Sequence, residues 1–175
     1  GSSFLDIARD RIKDHGFFCL SGDSQNALSN ILMWSHYTSN FKGFALKFDT
    51  GKLLRSLELL NDNCKLAFFE VDYLDVPHTI TASSNLIETS ANAIISIQKK
   101  HRPWEYENEY RFISGKSGLH NFEHDAIEGI YIGHNLSDAE KESLINIMKS
   151  FYPDTQIYKT TLSRTSYEVV PILNQ

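Results

Sequence analysis

Two short segments hold most of the side chains able to do chemistry: Met33-Trp34-Ser35-His36-Tyr37 and Trp104-Glu105-Tyr106-Glu107-Asn108-Glu109-Tyr110-Arg111. In the first, helical spacing puts Met33, His36 and Tyr37 on one face and makes Trp34 and Tyr37 neighbours. An imidazole and a phenol beside broad aromatic surface can hold a flat ring by stacking and orient polar atoms around it. The same residues also make an ordinary packed aromatic helix whose histidine donates to a backbone carbonyl. This segment alone does not choose between the two.

The second segment says more. Pro103 forces an extended or turned approach. Read as extended backbone, it puts Glu105, Glu107 and Glu109 on one face and Trp104, Tyr106 and Tyr110 on the other. Three like charges on one face raise each other's proton affinity unless a cation intervenes. Arg111 has the same parity and can be that cation. A solvated acidic edge with an exposed ion pair would use the same residues to little effect. Aromatic side chains bracket the carboxylates where ordinary polar filler would do, and that favours a site.

Weaker signals lie elsewhere. Lys99-Lys100-His101-Arg102 offers a local basic groove, or simply cations complementing the end of a helix. Gly133-His134-Asn135-Leu136-Ser137 joins a strand to a helix start, where anions are attracted, though an ordinary capped loop needs no ligand. His78, His120 and His124 fall in polar loops without useful metal spacing, so no structural metal is expected. Cys19 and Cys64 are far apart and read as small core residues in strands, suited to a reducing cytoplasm. No Ser-His-Asp order, Gly-x-Ser-x-Gly elbow, Gly-x-Gly-x-x-Gly or P-loop occurs.

The elements that must position these groups follow from hydrophobic spacing. Phe4, Ile7, Ala8 and Ile12 predict a first helix with Gly16 at its C-terminal cap, then Phe17 to Leu20 a buried strand. Ser29 caps a short helix over Ile31 to Tyr37. Phe44, Leu46 and Phe48 share the face of a strand, and Thr50 or Asp49 caps a helix from Lys52 to about Leu60. Lys65 to Tyr73 is a strand, and Ser84 opens the longest helix, stopped by Pro103. Strands at Tyr110 to Ile113 and Gly129 to Ile132 precede a helix opened by the capping box Ser137-x-x-Glu140 and running to Phe151. Two strands, Thr155 to Tyr158 and Tyr167 to Ile172, close the chain.

The 175 residues carry a formal charge of −5, which gives no global reason to bind nucleic acid or an anionic membrane. No apolar run approaches the roughly 20 residues needed to span a bilayer. With Gly1-Ser2-Ser3 set aside as a tag remnant, the reading is one α+β domain over residues 4–175. Its sheet is mixed and largely antiparallel, with several packed helices.

Ile31-Leu32-Met33-Trp34-Ser35-His36-Tyr37, Lys42-Gly43-Phe44, Phe48-Asp49, and Trp104-x-Tyr106-Glu107-x-Glu109-Tyr110-Arg111 resemble the hallmarks of a bacterial domain-of-unknown-function family, number twenty-nine seventy-one. The likeness continues through Val71 to Tyr73 and Lys99 or Lys100, and closes at Ile130 to Gly133. The family's N-terminal segment, with a Tyr-rich first strand and an Asn-Asp-Pro-Phe-like motif, finds no match and is expected to be absent. Members resemble components of phage-defence and mobile-element neighbourhoods, which implies an effector, in phage defence or a toxin system.

Glu107-x-Glu109 is in turn similar to the Glu-x-Glu element of ADP-ribosyltransferases. That likeness implies an ADP-ribosyltransferase-like fold and an enzyme consuming NAD, with Glu109 as principal catalytic carboxylate and Glu107 assisting. Trp34, Tyr37, Trp104 or Tyr106 would stack on nicotinamide or adenine, and His36 or Arg111 would contact a phosphate or ribose. The acceptor would be a protein or a nucleic acid. The first-strand Arg or His of that superfamily has no identifiable counterpart. Two alternatives stay open: a metal-dependent nuclease with His36 as general acid/base and Glu107 and Glu109 on the metal, and a non-enzymatic sensor for a nucleotide or partner. Oligomeric state is not readable. All site readings need the aromatic helix and the acidic segment to share one cleft.

Overall fold

The computed structural model describes residues 13–23, 26–61, 66–79, 88, 92 and 95–174. The helices expected from Phe4 and from Ser84, and Cys64, lie wholly or mostly outside those residues. The protein is mixed α and β, and its contacts divide it into two compact units. One comprises Gly1–Gln25 with Asn63–Leu119, the other Asn26–Asp62 with His120–Gln175.

The first unit is built on an antiparallel sheet of β1 (Gly16–Ser21), β3 (Leu66–Glu70) and β6 (Glu109–Ser114), with β6 in the centre. Register places Phe18 and Phe68 on either side of Phe112, and the rings pack at 6.1 and 4.5 Å between centroids. Side chains alternate between faces along a strand, so Phe112 goes to this aromatic ladder while Glu109 and Arg111 go to the opposite face. Cys19 pairs with Arg111 across the ladder and joins them there. It is an exposed strand residue, not the core cysteine expected.

A second, two-stranded sheet pairs β4 (Asp72–Leu74) in parallel with β5 (Lys99–His101), setting Tyr73 directly opposite Lys100. The basic run Lys99-Lys100-His101 is thus a strand and not the end of a helix. Alternation sends Lys99 to the Asp72 carboxylate and leaves Lys100 for the other side.

The second unit holds a four-stranded sheet in the order β2 (Phe44–Phe48), β7 (Ile127–Ile132), β8 (Gln156–Leu162), β9 (Val169–Leu173). Only β7 and β8 are parallel. Helix α3 (Asp138–Phe151) makes that crossover, and α1 (Ile31–Tyr37) and α2 (Thr50–Leu60) complete the helices of this unit among the described residues. From Gly129 to Ile132 strand β7 carries no polar side chain pointing to solvent, because both of its faces are covered. Ile130 and Ile132 pack with Met148 and Ile157, while Tyr131 packs with Trp34, Phe41 and Val169.

Caps follow local chemistry. Ser137 and Glu140 form the expected capping box, and Asp49, the second of the two residues expected, accepts from the Lys52 N–H. Asn30 replaces Ser29 at the start of α1, because Ser29 closes a 3-10 turn over Ala27–Ser29. Opposite the step from Lys47 to Phe48, strand β7 carries one extra residue, Glu128, a bulge in its ladder with β2.

Candidate functional site

The acidic segment is not extended. Arg102–Glu107 forms a 3-10 helix with Pro103 in its first turn, where a missing N–H costs nothing. Asn108 then adopts left-handed backbone, φ 45°, which asparagine tolerates better than most residues. This tight reversal undoes the alternate spacing. Glu105 is left in solvent, while Glu107 and Glu109 are 2% and 5% exposed. Two carboxylates converge, where extended backbone would have aligned three.

What they converge on is Lys100. Its ammonium bonds the Glu107 carboxylate and lies 2.9 Å from Glu109 Oε2. Arg111 grips Glu109 in a fork, Nε to Oε1 at 2.6 Å and Nη2 to Oε2 at 3.0 Å, and its third nitrogen donates to the Ile97 carbonyl. The Glu109 backbone N–H donates to the Tyr73 hydroxyl at 2.8 Å. Val71 and Gly22 complete the frame through backbone bonds to the Glu109 and Asn108 carbonyls. At Gly22 a Cβ would fall 2.4 Å from the Asn108 side-chain nitrogen Nδ2 and 2.5 Å from the Tyr110 ring, so any larger residue would have to displace both side chains.

Two formal negative charges therefore face two positive ones in a space with little water, the arrangement that makes burial of carboxylates tolerable. Burial alone would raise the proton affinity of Glu109, but hydrogen bonds from Arg111 and Lys100 outweigh it and bring its pKa down to about 2. Lys100 answers in kind. Burial opposes its charge, and the two glutamates overcome this and lift it to about 12. The Cys19 thiol is pushed up to about 11, first by partial burial and then by its hydrogen bond to the Glu109 carboxylate.

Beside this cluster stands an aromatic pair. The Trp104 and Tyr106 ring centroids are 6.0 Å apart, and the Lys100 ammonium lies 5.3 Å from the Trp104 ring centre. Trp104 keeps 39% of its surface exposed. The unit thus brings together Glu107, Glu109, Arg111, Trp104 and Tyr106 of the expected site, adding Lys100, Tyr73 and Cys19. The basic run flagged Lys100 in the sequence, but nothing local indicated which lysine would meet the glutamates.

The other motif lies in the second unit, on helix α1. Trp34 is 2% exposed, stacked on Phe41 at 6.1 Å, and its indole N–H donates to the Leu28 carbonyl at 2.8 Å. It serves the core, and no face of its ring is open to a ligand. His36 and Tyr37 are exposed, Tyr37 at 61%. Among the described residues, no three His, Cys, Asp or Glu side chains gather as a metal ion requires. No helix among them is long and apolar enough to cross a membrane.

The loop before α3 has a structural explanation. A Cβ on Gly133 would fall 2.3 Å from the Phe41 carbonyl oxygen, so glycine is needed where two backbones touch. His134 packs on Phe41 at 4.5 Å. Its pKa is lowered, by burial and then by the Lys141 ammonium.

Residues 33–112 match the model of a family described as "Protein of unknown function (DUF2971)". It is the family that the paired motifs resemble, and the match takes in Trp34 through Arg111. No curated protein and no solved structure matches the chain.

Proposed function

We propose that this chain, whose residues 33–112 belong to a family of unknown function, is an ADP-ribosyltransferase-like effector that consumes NAD, with Glu109 as its catalytic carboxylate. The observation that carries the reading is the state and setting of Glu109. It opens the central strand of its sheet two residues after a second buried glutamate, and with a pKa of about 2 it is fully ionised at neutral pH. An aromatic pair with open surface lies beside it. The reaction class needs those three features. The bond from the nicotinamide nitrogen to ribose C1′ breaks, nicotinamide leaves with the electron pair, and a positive charge develops on the sugar. A fixed carboxylate stabilises that charge most when it is greatest, in the transition state. The acceptor's nucleophile then bonds C1′ and gives up its proton.

Glu107 assists by sharing Lys100. Trp104 and Tyr106 supply stacking surface for a base, and Arg111 fixes the Glu109 carboxylate. Substrate then has to draw on a carboxylate already held by Arg111 and Lys100, so one of those contacts must yield on binding. We read the setting as the cytoplasm of a bacterium, in phage defence or a toxin system, and the acceptor as protein or nucleic acid.

The test is purified protein with labelled NAD and candidate acceptors. Wild type should release nicotinamide, and Glu109→Gln should lower the rate at least a hundredfold with its fold intact by circular dichroism. No release from wild type in the presence of protein and nucleic-acid acceptors counts against a transferase.

One observation favours a second reading. The acceptor oxygens of Glu109 are satisfied within the chain, as in a structural ion cluster supporting a binding surface around Trp104. A sensor of this kind would bind a nucleotide through Trp104 and lose binding in Trp104→Ala, while Glu109→Gln would affect stability and not ligand affinity. The nuclease reading gains no such support. Among the described residues, no third metal-ligating side chain joins Glu107 and Glu109.

A further inference from the structure

Four side chains make up the ion cluster, and they differ in how they are held. Glu107 and Glu109 are enclosed, their side chains 3% and 7% exposed. Arg111 is clamped by the Glu109 fork and by the Ile97 carbonyl. Lys100 has the largest exposure of the four, 22% of its side chain, and reaches the two carboxylates with a single ammonium. That ammonium also lies 5.3 Å from the centre of the Trp104 ring, whose centroid is 6.0 Å from that of Tyr106. Two carboxylates and an aromatic face around one positive nitrogen is how proteins hold organic cations: charge supplies attraction, and the ring quadrupole supplies a second, weakly hydrated contact.

We infer that Glu107, Glu109 and Trp104 form a cage for an organic cation, and that Lys100 fills it as an internal ligand until a substrate cation displaces it. The inference deepens the transferase reading and rests on it for the identity of the occupant, because the nicotinamide ring of NAD is a pyridinium cation. Lys100 is then a positioning residue. It holds two buried carboxylates in place while the site is empty, and gives them up to a cation that brings its own charge and a flat ring for Trp104. Long flexible lysine side chains suit such an exchange, and the planar fork of Arg111 does not. Charge balance is kept throughout, since one cation replaces another.

The probe is 1-methylnicotinamide, the pyridinium alone, with uncharged nicotinamide as control, titrated calorimetrically against wild type, Lys100→Ala and Lys100→Arg. Lys100→Ala should bind 1-methylnicotinamide at least tenfold more tightly than wild type, with no matching gain for nicotinamide. Lys100→Arg, which keeps a cation in place, should bind no better than wild type. If Lys100→Ala does not fold, Lys100→Gln, which removes the ammonium charge and keeps part of the side chain, should show a gain in the same direction through Glu107, Glu109 and Trp104. Equal affinity in wild type and the opened variants overturns the inference, and so does an equal gain for both probes, which would mean simple filling of a hole. The assay contains no NAD. A tenfold gain without nicotinamide release from any variant keeps the cage and sinks the transferase, and turnover without the gain does the reverse.

Discussion

Trp34 and Trp104 show how little a residue's identity says about its job. Both sit in aromatic motifs that read as stacking surface. Trp34 has its ring packed on Phe41 and its N–H bonded to a carbonyl, whereas Trp104 keeps open surface beside a lysine. Trp34→Ala should cost about 3–5 kcal/mol through the cavity it leaves. Trp104→Ala should cost less, about 1–2 kcal/mol, for a partly exposed ring that gives up a cation–π contact. Urea unfolding of the two variants measures both, and a Trp34→Ala protein as stable as wild type would return that indole to the list of ligand-binding groups. Glu107, Glu109 and Arg111 were legible in the sequence because charge and spacing sufficed to single them out. Lys100 was not, because the choice between it and Lys99 is made by the pairing of β5 with β4, a contact 27 residues distant in sequence.

At the scale of elements the decisive feature is the turn between Pro103 and Glu109. Most strands and the α-helices described in the second unit are legible from alternation, helical spacing and capping residues. Alternate glutamates in the acidic segment fit a strand, yet Pro103 at the first turn and Asn108 in left-handed backbone make it a 3-10 helix followed by a reversal. Asparagine's tolerance of that conformation was the missed signal. The reversal brings Glu107 back to Lys100 beside Glu109, so the site depends on the φ of one residue. Asn108→Gly keeps that backbone accessible and should retain the Glu107–Lys100 contact. Asn108→Val, β-branched, should cost about 1–2 kcal/mol for the left-handed conformation alone. If the transferase reading holds, nicotinamide release should fall much further in the valine variant than in the glycine one. Equal losses in the two would mean that the Asn108 amide, and not the turn, is what matters.

Across the whole molecule, the titrating groups set a window of stability that can be worked out from the direction of each shift. His134 and Glu109 have pKa values lowered by folding, from 6.5 and from 4.5, the latter to about 2. Each contributes stability above its unfolded value and loses it as pH falls, because the unfolded chain takes up the proton first. Cys19 and Lys100 are raised, from 9.0 to about 11 and from 10.5 to about 12. Their contributions are complete below the unfolded values and disappear as pH rises through the folded ones. Unfolding free energy should therefore be flat between about pH 6.5 and 9, decline in two steps on the acid side, and begin its alkaline decline near pH 9 with Cys19. Variants separate the steps. Cys19→Ser should move the alkaline onset up toward pH 10, where Tyr73 and then Lys100 take over, and Glu109→Gln should shrink the acid step below pH 4.5 to the share of Glu140 while leaving the one that begins near 6.5. Denaturant titrations across pH read both directly. An acid limb with the same shape in Glu109→Gln as in wild type would mean that the carboxylate is not held by Arg111 and Lys100 in solution, and the ion cluster would then lose its place at the centre of the site.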